Sequence, residues 1–326
     1  MAVLIIGAGL VGSQIARLLV ERGERPVLMD RAPQARALGQ IVELSRVILE
    51  EADVLQPLAL AGIVRQHAVT EVVHMAANPM LTIGAQRDPY GSIQLNVMGT
   101  VNVLEAARVF GLKRVVVASS NVLNHHIAGG EGGGDAMDEE AFPRPVSIYA
   151  SCKQAIESLG LNYARWFGVD FCALRYGAVA GPWGGAGGGG PSNVFSNLLR
   201  HALQGAEAVV PAAALEWVYS KDAAAGTVLA LKAGSLGNRV FNITMGCLTT
   251  PEELAAAVKS VLPGAKLRIA RPADGTPALQ SMTRAASLKR ARQVLGYEPR
   301  YPMPAAVRDM VEWLRKEGSH EAQAHS

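Results

Sequence analysis

Cysteine, charge and long apolar runs are all scarce in this chain, and each scarcity excludes something. Its 326 residues hold three cysteines, Cys152, Cys172 and Cys247, an odd number without CxxC spacing. That pattern argues against a disulfide framework and for a reducing cytoplasm. No His/Cys cluster has metal-ligand spacing, so no metal site is expected. Charged residues make up 18% and the net charge is +3, too small and too evenly spread to mark a nucleic-acid or membrane surface. No stretch reaches the roughly 18 apolar residues of a membrane span. The apolar start lacks a basic n-region, and its glycines begin inside the apolar run, so it reads as a first strand and not a signal peptide. What remains is a globular composition, 49% hydrophobic, long enough for about two domains or one nucleotide domain with a smaller companion.

Ala2-Val3-Leu4-Ile5-Ile6 is a continuous apolar run of the kind found in a parallel strand buried on both faces. Gly7-Ala8-Gly9-Leu10-Val11-Gly12 follows directly, then an amphipathic stretch over 13–22, then a second strand, Pro26-Val27-Leu28-Met29, ending in Asp30. Such glycines permit a tight turn and close backbone approach to a pyrophosphate, and the helix N-terminus adds partial positive charge. Asp30 lies 18 residues past Gly12, where a carboxylate accepts both ribose hydroxyls and repels a 2′-phosphate, which favours NAD over NADP. The neighbouring Arg31 softens that preference. The second glycine-rich run, Gly184 to Gly190, has no Lys-Ser/Thr ending and is not a P-loop.

The alternation continues with a third strand closing at Ala52-Asp53-Val54, a fourth over 71–77 and a helix over Gly99–Phe110. A fifth strand, 114–118, ends in Ser119-Ser120-Asn121. The expected fold is α/β: a doubly wound parallel (Rossmann) sheet in which ligands sit beyond the carboxyl ends of the strands, with a smaller C-terminal α/β substrate region. The NAD-binding part spans 1–172. Residues 173–318 form mainly the substrate region, with some segments returning to the sheet, and 319–326 form a frayed tail. Helices are expected at 193–204, 221–232, 250–261 and 304–316, the third opened by a capping hydroxyl, proline and acids. Tyr149 and Lys153, four apart, share one helix face. Bringing a tyrosine from pH ~10 to neutrality takes roughly 4 kcal/mol of phenolate stabilisation, and a lysine about 5 Å away supplies roughly 3 at an effective dielectric near 20.

These blocks occur in a telling order. With His74-Met75-Ala76-Ala77, Asn96-Val97-Met98-Gly99-Thr100-Val101-Asn102, Leu174 to Pro182, Trp217 to Asp222 and Leu295-Gly296-Tyr297-x-Pro299, the chain resembles an extended short-chain dehydrogenase/reductase of the NAD-dependent epimerase/dehydratase family over nearly its whole length. One departure is Ile6, where the family often has a further glycine.

The resemblance implies that Tyr149 is the general acid/base, that Lys153 holds the nicotinamide ribose, and that Ser120 hydrogen-bonds the reacting oxygen. It puts Asp53 and Val54 beside the adenosine, Ala76, Ala77 and Asn96 along the cofactor, and Tyr176 near the carboxamide. Asn121, Met80 and His125 are candidates for substrate contact; His125 and His126 sit either there or in a solvated loop. His74 reads as a packed strand-end histidine. The glycine-rich runs 129–134 and 184–190 are either a mobile lid or plain linker.

Dehydratases of the family carry acids after the catalytic Ser/Thr, where this chain has Asn121-Val122. Its nucleotide-sugar epimerases carry Asn and Arg where Ala178 and Leu215 stand. The leading expectation is therefore NAD-dependent hydride transfer at a secondary alcohol or ketone of a small polar substrate: a sugar, sugar acid or hydroxy acid. The alternatives are a sugar epimerase with a transient keto intermediate and a non-catalytic NAD-binding redox sensor. The family commonly dimerises through the helices 99–110 and 149–167, the second carrying an Ile156, Leu159, Tyr163, Phe167 stripe, so a homodimer is expected.

Overall fold

Short runs of β-branched and aliphatic residues form the strands, and alternating amphipathic helices cover them. A computed structural model describes residues 2–77, 81–125, 137–140, 143–271, 279 and 281–324. Among these the strands are β1 (Ala2–Ile6), β2 (Val27–Asp30), β3 (Ile48–Glu51), β4 (Val69–His74), β5 (Arg114–Ser120), β6 (Phe171–Tyr176), β7 (Ala178–Ala180), β8 (Glu207–Val210), β9 (Trp217–Tyr219), β10 (Val240–Ile243) and β11 (Lys266–Ile269). Seven of them form one parallel sheet in the order β10-β6-β5-β4-β1-β2-β3. The chain winds outward to β3, returns past β1 and continues through β4 to β6, so the order reverses between β1 and β4. That switch point opens the crevice into which the ends of β1, β2, β4, β5 and β6 all face.

Leu4, Ile5 and Ile6 are fully buried because helices pack on both faces of the sheet, and each face has its own apolar cluster. A third cluster, built on Phe195, Leu198, Trp217, Val258 and Met310, is the core of the smaller region, in which β7 pairs with β9 and β8 with β11. The final helix contributes Val307, Met310, Val311 and Leu314 to it, as their spacing predicts.

Several boundaries differ from those read in the sequence. The first helix is Leu10–Glu21, so it begins inside the glycine motif. β3 stops at Glu51, which leaves Asp53 and Val54 in the turn beyond it. β4 ends at His74, so Ala76 and Ala77 have already left the sheet. β10 returns to the sheet beside β6, and the 172/173 boundary falls inside β6. The last helix runs Met303–Ala324, through most of the segment assigned as a frayed tail. Of the expected stripe, Ile156 lies in the core, Leu159 and Tyr163 are partly buried against it, and Phe167 is exposed, joined at the surface of the Ile148–Phe167 helix by Leu161 and Trp166.

His74 is buried, its Nδ1 has no partner among the described residues, and its pKa is lowered to about 3, first by burial and then by the Lys153 charge. The folded value is below the unfolded one, so between pH 6.5 and 3 the unfolded chain binds the extra proton. Stability is therefore lost as pH falls through that window. From pH ~7 to ~5 the loss from this group is about 2 kcal/mol. Urea unfolding at the two pH values should give a drop smaller by about that amount in a His74→Leu variant; an equal drop would remove the assignment.

Candidate active site

The turn after β1 is built by backbone contact. Gly7 has φ +97° and a Cβ there would sit 2.6 Å from the Ala76 nitrogen, while a Cβ on Gly12 would meet the Gly7 oxygen at 2.0 Å. Only glycines allow turn, helix and β4 to close this tightly. At Gly9, which heads the Leu10–Glu21 helix without a side-chain cap, the space is open. The first-turn N–H groups of that helix thus open onto space suited to a pyrophosphate. At the end of β2, Asp30 accepts hydrogen bonds from the backbone N–H of Ala8 (2.9 Å) and of Ala32 (3.0 Å), which fixes its carboxylate at the rim.

These groups line a cleft of about 1420 Å³, larger than the usual 300–1,000 Å³ of a single small-ligand pocket. Gly7, Gly9, Leu10, Val11, Gly12, Asp30, Arg31, Asp53, Val54, Ala76 and Ala77 lie along one arm. Ser120, Tyr149, Lys153 and Tyr176 converge on the other.

The helix that carries Tyr149 and Lys153, Ile148–Phe167, is started by Ser147, whose hydroxyl accepts from the Ala150 N–H at 3.2 Å. One turn in, Lys153 Nζ lies 5.4 Å from the Tyr149 ring centroid and donates to the Ala118 carbonyl on β5 at 2.8 Å. Ser120 lies near enough to the Tyr149 hydroxyl to favour its phenolate. Burial pushes the phenol up to about 12, and Ser120 partly offsets this. Burial likewise pulls the Lys153 ammonium down to about 8, against the influence of Cys152 and Glu157. A buried phenol and a buried cation side by side form a proton-transfer pair that needs further positive charge to run at neutrality.

Not every expected residue faces the cleft as expected. Asn121 lines the cleft, with its side chain engaged in the protein: Nδ2 donates to Glu216 Oε2 at 2.6 Å and Oδ1 accepts from Asn124 at 3.0 Å. Asn96 is buried in a π-helical turn, Gln94–Met98, and bonds the Ser92 carbonyl at 2.9 Å without lining the cleft. Tyr176 lines the cleft, and its hydroxyl pairs with Thr227 at 2.6 Å. Asp53 closes its own turn by accepting from the Leu55 N–H. Met80, His126, the run 129–134 and the side chain of His125 lie outside the described residues.

The cleft also holds residues that motif matching passes over: Gln34, Asn193, Asn197, Ser281 and Met282. Asn193 and Asn197, four apart on one helix, carry a readable signal; Gln34 and Ser281 do not.

The family model described as "NAD dependent epimerase/dehydratase family" matches residues 3–244. The chain belongs to this family. A UDP-glucuronate 4-epimerase of Arabidopsis thaliana is 26% identical over 96% of this chain and 76% of its own length. Among solved structures, an L-threonine dehydrogenase from Cupriavidus necator is 27% identical with TM-score 0.82, covering 96% of this chain and 100% of that one. A UDP-glucose 4-epimerase from Thermus thermophilus, complexed with NAD, is 26% identical with TM-score 0.80, covering 97% of this chain and 99% of that one.

As a member of this family the chain is an NAD-dependent enzyme of the extended short-chain dehydrogenase/reductase type, and the open cradle at Gly9 with the fixed Asp30 carboxylate fits that cofactor. The second glycine-rich run belongs to the cleft: its end opens the Gly189–Leu203 helix. Before that helix, Gln34 holds Ala186 in both directions, accepting from its N–H at 2.6 Å and donating to its carbonyl at 3.1 Å. The loop therefore bridges the cofactor arm to the substrate wall. Gln34→Ala should speed NAD dissociation by about tenfold, the loss of roughly 1–1.5 kcal/mol of hydrogen bonding; stopped-flow displacement of NAD measures it, and an unchanged off-rate would refute the clasp.

Proposed function

We propose that this enzyme is a dehydrogenase that oxidises a secondary alcohol on a small polar substrate carrying no nucleotide diphosphate, and also catalyses the reverse reduction. One observation carries this. Among the described lining residues the only lysine and arginine are Lys153 and Arg31, both on the cofactor side. On the substrate side stand Ala178 and Leu215, both buried and apolar. The sequence supplies no lysine or arginine in 78–80, 126–136, 141–142 or 272–280 either. A diphosphate seated there would be desolvated without a charged partner. Neutral donors and acceptors, Asn193, Asn197 and Ser281, suit hydroxyls instead. The similarity to an L-threonine dehydrogenase, named for a free hydroxy acid, supports the same reading.

Bound in this cleft, NAD supplies the acceptor for the hydride. Tyr149, as phenolate, takes the proton of the substrate hydroxyl. Ser120 donates a hydrogen bond to the same oxygen, and Lys153 stabilises the phenolate and offers its remaining donors to the ribose. The second reading, a UDP-sugar epimerase using the same three residues, is favoured by the UDP-glucuronate 4-epimerase relatives. Purified enzyme with NAD, tested against uronates, aldoses, aldonates and hydroxy acids, should accumulate NADH with one of them. Interconversion of a UDP-sugar without net NADH would overturn the proposal in favour of the epimerase.

We further propose a cytoplasmic homodimer. The cysteines are unpaired, and Val109, Phe110, Leu161, Trp166 and Phe167 expose apolar surface on the Gly99–Phe110 and Ile148–Phe167 helices. Light scattering giving only monomer at micromolar concentration would remove the dimer.

A further inference from the structure

Two buried carboxylates flank the strand end that carries Ser120. On one side the Ser119 hydroxyl donates to Glu157, which Arg175 pairs at 2.8 Å. On the other, Asn121 Nδ2 donates to Glu216 Oε2 at 2.6 Å. Glu216 is fully buried, and among the described residues no arginine or lysine is paired with it. Its oxygens accept instead from the Thr244 hydroxyl at 2.6 Å and the Ala286 N–H at 3.0 Å. The Asn121 carboxamide is fixed in orientation, because its oxygen accepts from Asn124, whose own oxygen accepts from Arg175 at 2.8 Å. Each amide in this chain can face only one way.

Glu216 is also joined to the substrate wall. The preceding residue, Leu215, lines the cleft, and the Glu216 N–H donates to the sulfur of Met282, another lining residue, at 3.2 Å. A carboxylate held only by neutral donors, at the cost of burial, adds nothing obvious to stability, since an apolar pair of the same shape would serve as well. Its position suggests why it is there.

We propose that Asn121 and Glu216 are positioning residues: their hydrogen bond sets the strand end that aims Ser120 at the oxygen shared with Tyr149, and couples that aim to the wall on which substrate rests. This rests on the Ser120–Tyr149 chemistry given above but not on the identity of the substrate. Asn121→Asp sets two carboxylates face to face. Adding Glu216→Gln restores complementarity, because the amide introduced at position 216 donates to the carboxylate introduced at position 121, which still accepts from Asn124.

The test is the cycle of Asn121→Asp, Glu216→Gln and the double variant, with two readouts. The first is turnover of whichever alcohol the wild type oxidises. The second, independent of substrate, is the pH at which Tyr149 ionises in the NAD-bound enzyme, read as phenolate absorbance against a Tyr149→Phe control in each background. We expect Asn121→Asp to lower kcat about 100-fold with the NAD dissociation constant within about threefold, and Tyr149 to ionise at higher pH. The double variant should recover at least about tenfold of kcat and the original ionisation, a coupling typical of direct contacts. Unchanged kcat and ionisation in Asn121→Asp, or losses that Glu216→Gln does not recover, would overturn the proposal. Should Asn121→Asp not fold, Asn121→Ser removes the bond without adding charge, and unaltered kcat and Tyr149 ionisation in that variant refute it equally. If no alcohol is turned over, the substrate proposal fails while the ionisation readout still decides this one.

Discussion

Tyr149→Phe should cost about 10³- to 10⁴-fold in turnover and leave NAD affinity unchanged, the upper range for removing a general acid/base. The phenyl ring keeps its place beside Lys153, and the glycine turn and Asp30 contacts do not involve the Tyr149 hydroxyl. Only the proton carrier is lost. Ser120 still donates to the substrate oxygen, so residual activity should exceed the uncatalysed rate. The loss should appear in kcat and in kcat/KM alike, since the missing group acts on the reacting oxygen in the transition state. Steady-state kinetics with NAD binding followed by fluorescence would check it; turnover within tenfold of wild type would rule Tyr149 out.

Lys153→Met should produce the second-largest effect, and a pH profile distinguishes it from a general loss of fold. The cation lies against the phenol, whose pKa stands at about 12 chiefly because of burial, with Ser120 opposing the rise. Removing a positive charge about 5 Å away withdraws roughly 3 kcal/mol of phenolate stabilisation at an effective dielectric near 20, about a hundredfold in phenolate at fixed pH. The sign follows: without the cation the phenol's pKa rises, the rate of oxidation at neutral pH falls, and higher pH restores part of it. The alkaline-rising limb should therefore move up by about two pH units. A reduced rate on an unshifted limb would mean that Lys153 only orients the ribose.

The sequence carries the Rossmann half well because its signals are local. A strand run, glycines that fit between two backbones and an acid at the next strand end each act within a few residues, and Tyr149 and Lys153 are one helical turn apart. What it leaves illegible is long-range. Asn121 follows a catalytic serine at a strand end, which is where a substrate contact is expected, yet its amide is claimed by Glu216, distant in the chain. Asn96 sits in the π-helical turn at Gln94–Met98, which counting by 3.6 does not anticipate, and its buried Oδ1 has no partner among the described residues. The Gly189–Leu203 helix starts within glycines that disfavour helix by about 1 kcal/mol each, and burial of Phe195, Leu198 and Leu199 against Trp217 overrides that preference. Glu216 is silent in the sequence for the same reason: a lone acid before a strand ordinarily lies in a solvated turn, and its burial depends on Asn121, Thr244 and Ala286.

The bare substrate wall has a consequence for how the enzyme meets its environment. A cleft that recruits substrate with fixed charge gains capture rate from long-range attraction and loses it as mobile ions screen that attraction over about 10 Å. On the function proposed above, with Ala178, Leu215 and carboxamides on the substrate side, capture would depend on collision and short-range fit. The enzyme gives up the kinetic help of an electric field, and in return its sensitivity to substrate stays constant when the salt concentration around it changes.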